Sequence, residues 1–331
     1  MLDSTSKNFS RRRAVQALGA LSLPTGGATW AQAGFPSKPL RIIVSFSPGS
    51  STDLVARLVG ERLSEQMKQS VVVDNKPGAG GIIGTQLLAR AAPDGYTLGI
   101  GSLATMALLP ATMKEVPYDS VRDFSPLSEL ISVDLVLATS TRLAPATLPE
   151  FITWAKAQSA PIFMGTFGAG TSAPFAGYLF GKAAGIKFEV IHYNNQSDGL
   201  IGLINGDCHF MVPPPTVVEQ QVKAGKLRAL ATNGKVRLKS FPDAPTFAEL
   251  GYTNMTFSNW VGILAPARTP QAILDRLSTE IQIAANVPAV RAKLEEGGYR
   301  MVVNKPDEFT ATIRHDVPFW ADFVKTSGFS I

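Results

Sequence analysis

The chain has 331 residues, 45% hydrophobic and 17% charged, which marks a globular protein of about two domains and excludes a disordered one. A lone cysteine, Cys208, excludes an internal disulfide framework, a multi-cysteine zinc site and a Cys-ligated iron–sulfur cluster. Of the +5 net charge, +3 lies in residues 1–33, so the rest is near neutral and bulk charge points to no acidic partner.

The N-terminus runs Ser10-Arg11-Arg12-Arg13, an apolar stretch over 14–23, then Ala31-Gln32-Ala33. This order of basic, apolar and small-x-small segments is that of an export signal. The apolar stretch is too short to span a membrane and ends at Pro24. The adjacent arginines resemble a twin-arginine signal, while Ala14 and Gln16 depart from the Phe and Lys often found there. A general secretory signal with surplus arginines is the other reading. Both predict cleavage after Ala33 and a periplasmic protein.

Residues 40–46 predict a strand, closed by the turn Ser47-Pro48-Gly49-Ser50. Leu54, Val55, Leu58, Val59, Leu63 and Met67 then form an apolar stripe at helical spacing. Strands at 71–74 and 96–101 flank a Gly-rich loop and a helix over 82–92. This β-α-β-α-β rhythm implies a parallel sheet with right-handed crossovers. After a loop at 117–126, a long strand is expected at 130–139. The capping box Thr147-x-x-Glu150 opens a helix through 157. Strands at 162–164, 188–193, 208–212 and 227–232 alternate with helices at 174–184, 198–204 and 217–224. A second long strand is expected at 255–264. Thr269-Pro270 starts a helix, and two more follow at 288–296 and 306–325.

Catalytic and nucleotide-binding patterns are missing from the sequence. It holds no H-E-x-x-H, C-x-x-C, G-x-S-x-G or G-x-x-x-x-G-K-[ST]. His192 and His209 fall in expected strands and His315 in the last helix. Cys208 and His209 are neighbours on a strand, so they face opposite ways and cannot share a metal directly. The loop Gly78-Ala79-Gly80-Gly81-Ile82-Ile83 has Ile83 where the dinucleotide fingerprint needs glycine.

In open α/β sheets, ligands sit beyond the carboxyl ends of the strands. Those ends carry Ser47, Ser50, Ser51 and Thr52, then Gly80 and Gly81, then Ser102 and Thr105. Later ends carry Thr166, Gly168, Thr171 and Ser172, and then Asn195. Helix N-termini offer unpaired N–H groups and partial positive charge, glycine allows close approach, and hydroxyls add donors. Three such loops meeting in one cleft would hold a carboxylate without an arginine.

The blocks FPSKPLRIIV (35–44), FSPGSSTD (46–53), VVVDNKPGAGG (71–81), AAPDGYTL (91–98), AGKLRALA (224–231) and GILAPA (262–267) together resemble the Bug family. These are the periplasmic substrate-binding proteins of tripartite tricarboxylate transporters, and the likeness covers nearly all of 34–331. The resemblance implies an α/β, type II-like clamshell of two lobes, each a mostly parallel sheet flanked by helices. Residues 34–134 and 258–331 would form one lobe and 135–257 the other, with crossings at the two long strands. It implies a monomeric receptor that needs no cofactor or metal and binds no nucleic acid. Its partners would be a small carboxylate, aromatic or a dicarboxylate, and the membrane permease.

Departures from the family pattern bear on the ligand. Ser50 stands where glycine is usual, Met106 and Leu109 where many members have His and Asn, and Pro214 within a Pro213-Pro214-Pro215 run where many have a small or acidic residue. A less polar pocket disfavours a ligand ammonium. The expectation is a carboxylate with an apolar or aromatic body near Phe46, Phe167 or Trp260. Two rivals stay open: a sensory adaptor of the same fold serving a receptor kinase, and a periplasmic hydrolase with a dispersed triad.

Overall fold

The computed structural model describes Met1 and residues 34–167, 172–193 and 195–327. The expected export segment, Met1 apart, lies outside the described residues, as do Gly168 and Thr171. The first elements are β1 (Leu40–Val44), α1 (Ser51–Met67), β2 (Val71–Asn75), α2 (Ile82–Ala89), β3 (Thr97–Ser102), a π-type turn (Ala104–Leu108) into α3 (Leu109–Thr112), and β4 (Phe124–Ser132). Next come β5 (Val136–Ser140), α4 (Leu148–Ala157), β6 (Phe163–Phe167), α5 (Ala173–Ala184), β7 (Glu189–Tyr193), α6 (Gln196–Asn205), α7 (Pro215–Lys223) and β8 (Leu227–Thr232). The chain closes with β9 (Trp260–Pro266), α8 (Gln271–Ala285), α9 (Pro288–Glu296), β10 (Arg300–Met301) and α10 (Pro306–Ser327).

A six-stranded sheet has the order β10-β4-β9-β3-β1-β2. The predicted β-α-β-α-β unit is its parallel half, with β1 between β2 and β3. The pairs β3–β9, β9–β4 and β4–β10 are antiparallel. Helices cover the inner strands, which is why β1 (LRIIV) is apolar and buried apart from Arg41, which pairs with Asp74.

The remaining strands form a second group. β5 pairs antiparallel with β8, and β6 parallel with β7. The expected strand at 208–212 is reduced to two bridges, Met164 to Phe210 and Ala138 to Met211. These join β6 to β5 and so link the two pairs. Proline at 213–215 follows at once and cannot donate to a ladder.

Both expected long strands are interrupted. Residues 130–139 make two strands, β4 and β5, belonging to different sheets. Every residue from 130 to 140 is buried, so the apolar pattern shows no break where the chain changes sheet. At that break Val133 N–H donates to Asn259 O at 3.0 Å. Leu135 N–H donates to Asn233 Oδ1 at 2.6 Å. Asn233 Nδ2 in turn donates to Phe257 O at 3.2 Å, so one fully buried amide staples both crossing segments. The other long strand begins only at Trp260, after a 3₁₀ turn at Thr253–Met255.

The core continues past the crossings. Trp320 on α10 is fully buried and meets Phe175 on α5 edge-on at 6.1 Å and Phe257 at 5.2 Å. Aromatic pairs of this geometry add about 0.5–1.5 kcal/mol beyond area burial. Among the described residues, no helix is long and apolar enough to cross a membrane.

Candidate functional site

A cavity of about 440 Å³ lies between the two groups of strands. From the six-stranded side it is lined by Phe46, Gly49, Ser50, Ser51, Thr52, Ser102, Ala104, Val261 and Tyr299. Val133, Leu135 and Asn259 on the crossing segments form its back. The opposite side supplies Ser172, Ala173, Gln196, Pro214, Thr216 and Val217. None of these lining residues is charged.

Four helices begin at this cavity: α1 at Ser51, α5 at Ala173, α6 at Gln196 and α7 at Pro215. Each start carries N–H groups without helical partners. At α1, Ser50 Oγ caps Asp53 N–H at 3.3 Å and meets Thr52 Oγ1 at 2.9 Å. That cap leaves the N–H groups of Ser51 and Thr52 for a ligand. At α6, Asn195 Oδ1 caps Asp198 N–H at 2.9 Å, and Gln196 lines the cavity. Helix starts of this kind favour an anion through backbone dipoles and hydroxyls, without a cation among these lining residues.

The turn before α1 is held from below. Asp53, 3% exposed, accepts from Gly49 N–H, Arg57 Nε and Asn75 Nδ2, each at 2.9 Å. Asn75 Nδ2 also donates to Phe46 O at 3.0 Å. Burial acts to raise the Asp53 pKa, but these donors outweigh it and hold the carboxyl below its usual range. Tyr299 lines the cavity beside the same turn, and burial pushes its phenol up.

The residues expected from sequence divide clearly. Phe46, Ser50, Ser51, Thr52, Ser102, Ser172 and Pro214 line the cavity. Ser47 is exposed in the turn, its carbonyl accepting from Ser50 N–H. Gly80 and Gly81 lie behind the lining. Gly81 has φ +107, and a Cβ there would meet Thr105 Cγ2 at 2.7 Å and Phe46 Cζ at 3.3 Å, so it serves to seat Phe46. Thr105 is fully buried and bonds Ser102. Thr166 is buried with its hydroxyl unpartnered among the described residues. Asn195 is an exposed cap, while Trp260 is fully buried and donates Nε1–H to Asp316 Oδ2 at 2.7 Å. For Phe167 only the strand position is described.

Sequence reading missed Gln196, Thr216, Asn259 and Tyr299. The first follows directly after the expected cap Asn195, and Asn259 sits at an expected crossing. Tyr299 lies in a short edge segment with no sequence signal.

The titratable groups that suggest catalysis lie elsewhere. His209 Nδ1 accepts from Phe163 N–H at 2.8 Å and its ring stacks on Phe163. His192 is exposed, and His315 pairs with Asp316 at 2.9 Å. Burial pushes the Cys208 thiol up to about 11. Among the described residues no three His, Cys, Asp or Glu side chains are grouped to hold a metal.

Residues 55–329 match the family described as tripartite tricarboxylate transporter family receptor, TctC. The chain is 33% identical over 295 residues to the protein BugT of Bordetella pertussis, covering 89% of this chain and 90% of that one. It superposes on Rhodopseudomonas palustris Rpa4515, solved with adipate, with TM-score 0.76, 26% identity and 89% and 99% of the two chains covered. MatC (Rpa3494) of Rhodopseudomonas palustris, solved with bound malate, gives TM-score 0.73 and 25% identity over 88% and 100%. With a family match across most of its length and this two-group fold, the chain belongs to the Bug, or TctC, family of periplasmic solute-binding proteins.

Proposed function

We propose that the protein captures a small carboxylate between two lobes and delivers it to the permease of a tripartite tricarboxylate-type transporter. Residues 34–134 with 258–331 form one lobe and 135–257 the other, closing about the crossing segments. The observation that carries this reading is the convergence of four helix starts on a cavity with no charged lining residue. One carboxylate binds at the α1 start, where Ser51 and Thr52 N–H and the Ser50–Thr52 hydroxyls donate. Charge-assisted bonds of this kind contribute about 1.5–3 kcal/mol each. Adipate and malate in two structural neighbours support the carboxylate class.

The remaining lining is largely apolar: Phe46, Val133, Leu135, Pro214, Val217 and Val261. It fits a carboxylate with an apolar or aromatic body. Of the expected aromatics whose side chains are described, Phe46 reaches the cavity and Trp260 does not. An ammonium group finds no acidic side chain in the described lining, so its burial would go uncompensated. Binding without catalysis is supported by the position of the three histidines, none of which lines the cavity. The chain acts as a monomer in the periplasm, after cleavage at Ala33.

Mass spectrometry of small molecules released from the purified protein tests the class, and a thermal-shift panel of mono-, di- and aromatic carboxylates refines it. We expect a carboxylate to be released and apolar-bodied carboxylates to stabilise most. A released nucleotide or phosphate ester, or stronger stabilisation by aspartate or glutamate, would overturn the reading.

A further inference from the structure

Three consecutive residues outside the expected loops touch three separate parts of the cleft. Gly298 has φ +78, and a Cβ built there would lie 3.0 Å from Thr216 Cγ2 and 4.0 Å from Pro215 Cβ. Its bare backbone thus seats the start of α7 from the opposite lobe. Tyr299 lines the cavity together with Ser51 at the start of α1. Arg300 pairs in the sheet with Ser132, and its Nε lies 3.6 Å from Asp134 Oδ2. Asp134 sits in the first crossing segment with its side chain 2% exposed. A Cβ on Gly234 would come within 2.5 Å of the same oxygen, so Asp134 is wedged against the end of the second lobe's β8.

Gly298 and Tyr299 lead into β10, which Arg300 opens, a two-residue strand at the sheet edge, where local opening costs less than in an inner strand. We propose that Gly298-Tyr299-Arg300 is a latch joining ligand, cleft and hinge, with Tyr299 as a positioning residue that holds the α1 start against the ligand. Gly298 meets the opposing lobe, Tyr299 closes the cavity wall, and Arg300 carries the displacement to the crossing segment through Asp134. The latch rests on the two-lobed binding reading above.

The test pairs Thr216→Cys with Gly298→Cys in the full chain. Bridgeable cysteines have Cβ atoms about 3.5–4.5 Å apart, which these positions approach. With oxidised glutathione we expect one reducible cross-link, seen by mass, with buried Cys208 left as a thiol. We expect the cross-linked protein to release adipate, used as the probe, at least about tenfold more slowly than its reduced form, since most affinity tuning acts on dissociation. Tyr299→Phe should speed adipate dissociation about fivefold with association unchanged, the equivalent of one hydrogen bond. A purely structural role would lower the melting temperature of the ligand-free protein and leave that rate split alone. No cross-link, or a cross-link that leaves adipate exchange unaltered, overturns the latch. An unchanged dissociation rate in Tyr299→Phe overturns the role of Tyr299, even if the cysteine pair is strained at Gly298. If the wild type binds none of adipate, malate and benzoate, the carboxylate reading fails instead, and the cross-link still decides whether the segment bridges the lobes.

Discussion

The two walls of the cavity are built differently. On the α1 side the turn is fixed by a buried network: Asp53 takes three donors and Asn75 ties the turn's Phe46 carbonyl to it. On the facing side, the helix starts show no comparable buried network among the described residues. Asn195 caps its own helix, Ser172 makes no side-chain cap, and α7 opens on prolines that have no N–H to anchor. A pre-organised wall loses little freedom on binding and suits the part common to every ligand, a carboxylate. A loosely held wall can vary its side chains without cost to the fold, which suits the part that differs between ligands. On the function proposed above, the fixed wall would capture the carboxylate and the looser wall would choose among solutes.

The sharpest way to break this picture is at Trp260, beneath the fixed wall. Trp260→Ala should cost about 3–5 kcal/mol in chemical denaturation, because it empties a fully buried site against Phe309 and strands Asp316. Trp260→Phe should keep carboxylate affinity while losing part of that stability. A large affinity loss without a stability loss would return Trp260 to the ligand surface.

Asp53 comes next. Asp53→Ala should cost about 2–3 kcal/mol by leaving three donors without their acceptor, and carboxylate affinity should drop tenfold or more as the turn loosens. The pH dependence gives a second check. Burial favours the neutral acid, yet Arg57, Gly49 N–H and Asn75 win and lower the folded-state pKa. The stabilisation is therefore complete above the unfolded pKa and is lost as pH falls through the folded one. The stability gap between wild type and Asp53→Asn should narrow on acidification. A gap that widens toward low pH would show that the network does not hold a carboxylate.

Much of this was legible in the sequence, for stated reasons. Strand β8 and helix α9 fall where residues 227–232 and 288–296 predict them, because Gly225 and Pro288 punctuate their edges. Ser50–Thr52 were readable as a helix start because a capping serine and a first-turn acid mark one. The sheet change at 133–135 was hidden, since continuous burial erases the alternation that would date a strand's end. Trp260 misled for a similar reason: a tryptophan near a strand end reads equally as ligand platform or core, and only Asp316, 56 residues away, decides. Tyr299 had no local pattern at all, because its meaning comes from the cavity it lines, whose other walls are distant in sequence.

The smallest effect on the fold tests the adjustable wall. Gln196 begins α6 and lines the cavity, yet as an exposed first-turn residue it should contribute little to stability. Gln196→Ala should shift unfolding by less than about 0.5 kcal/mol. Removing its amide should still weaken binding of a ligand with a second polar end about five- to tenfold, while a monocarboxylate with an apolar tail loses little. Calorimetric titration of paired mono- and dicarboxylates of equal length reads this directly. Equal losses for both would mean that Gln196 supports the wall as a whole, and the division of labour between the two sides would have to be redrawn around Thr216 and Asn259.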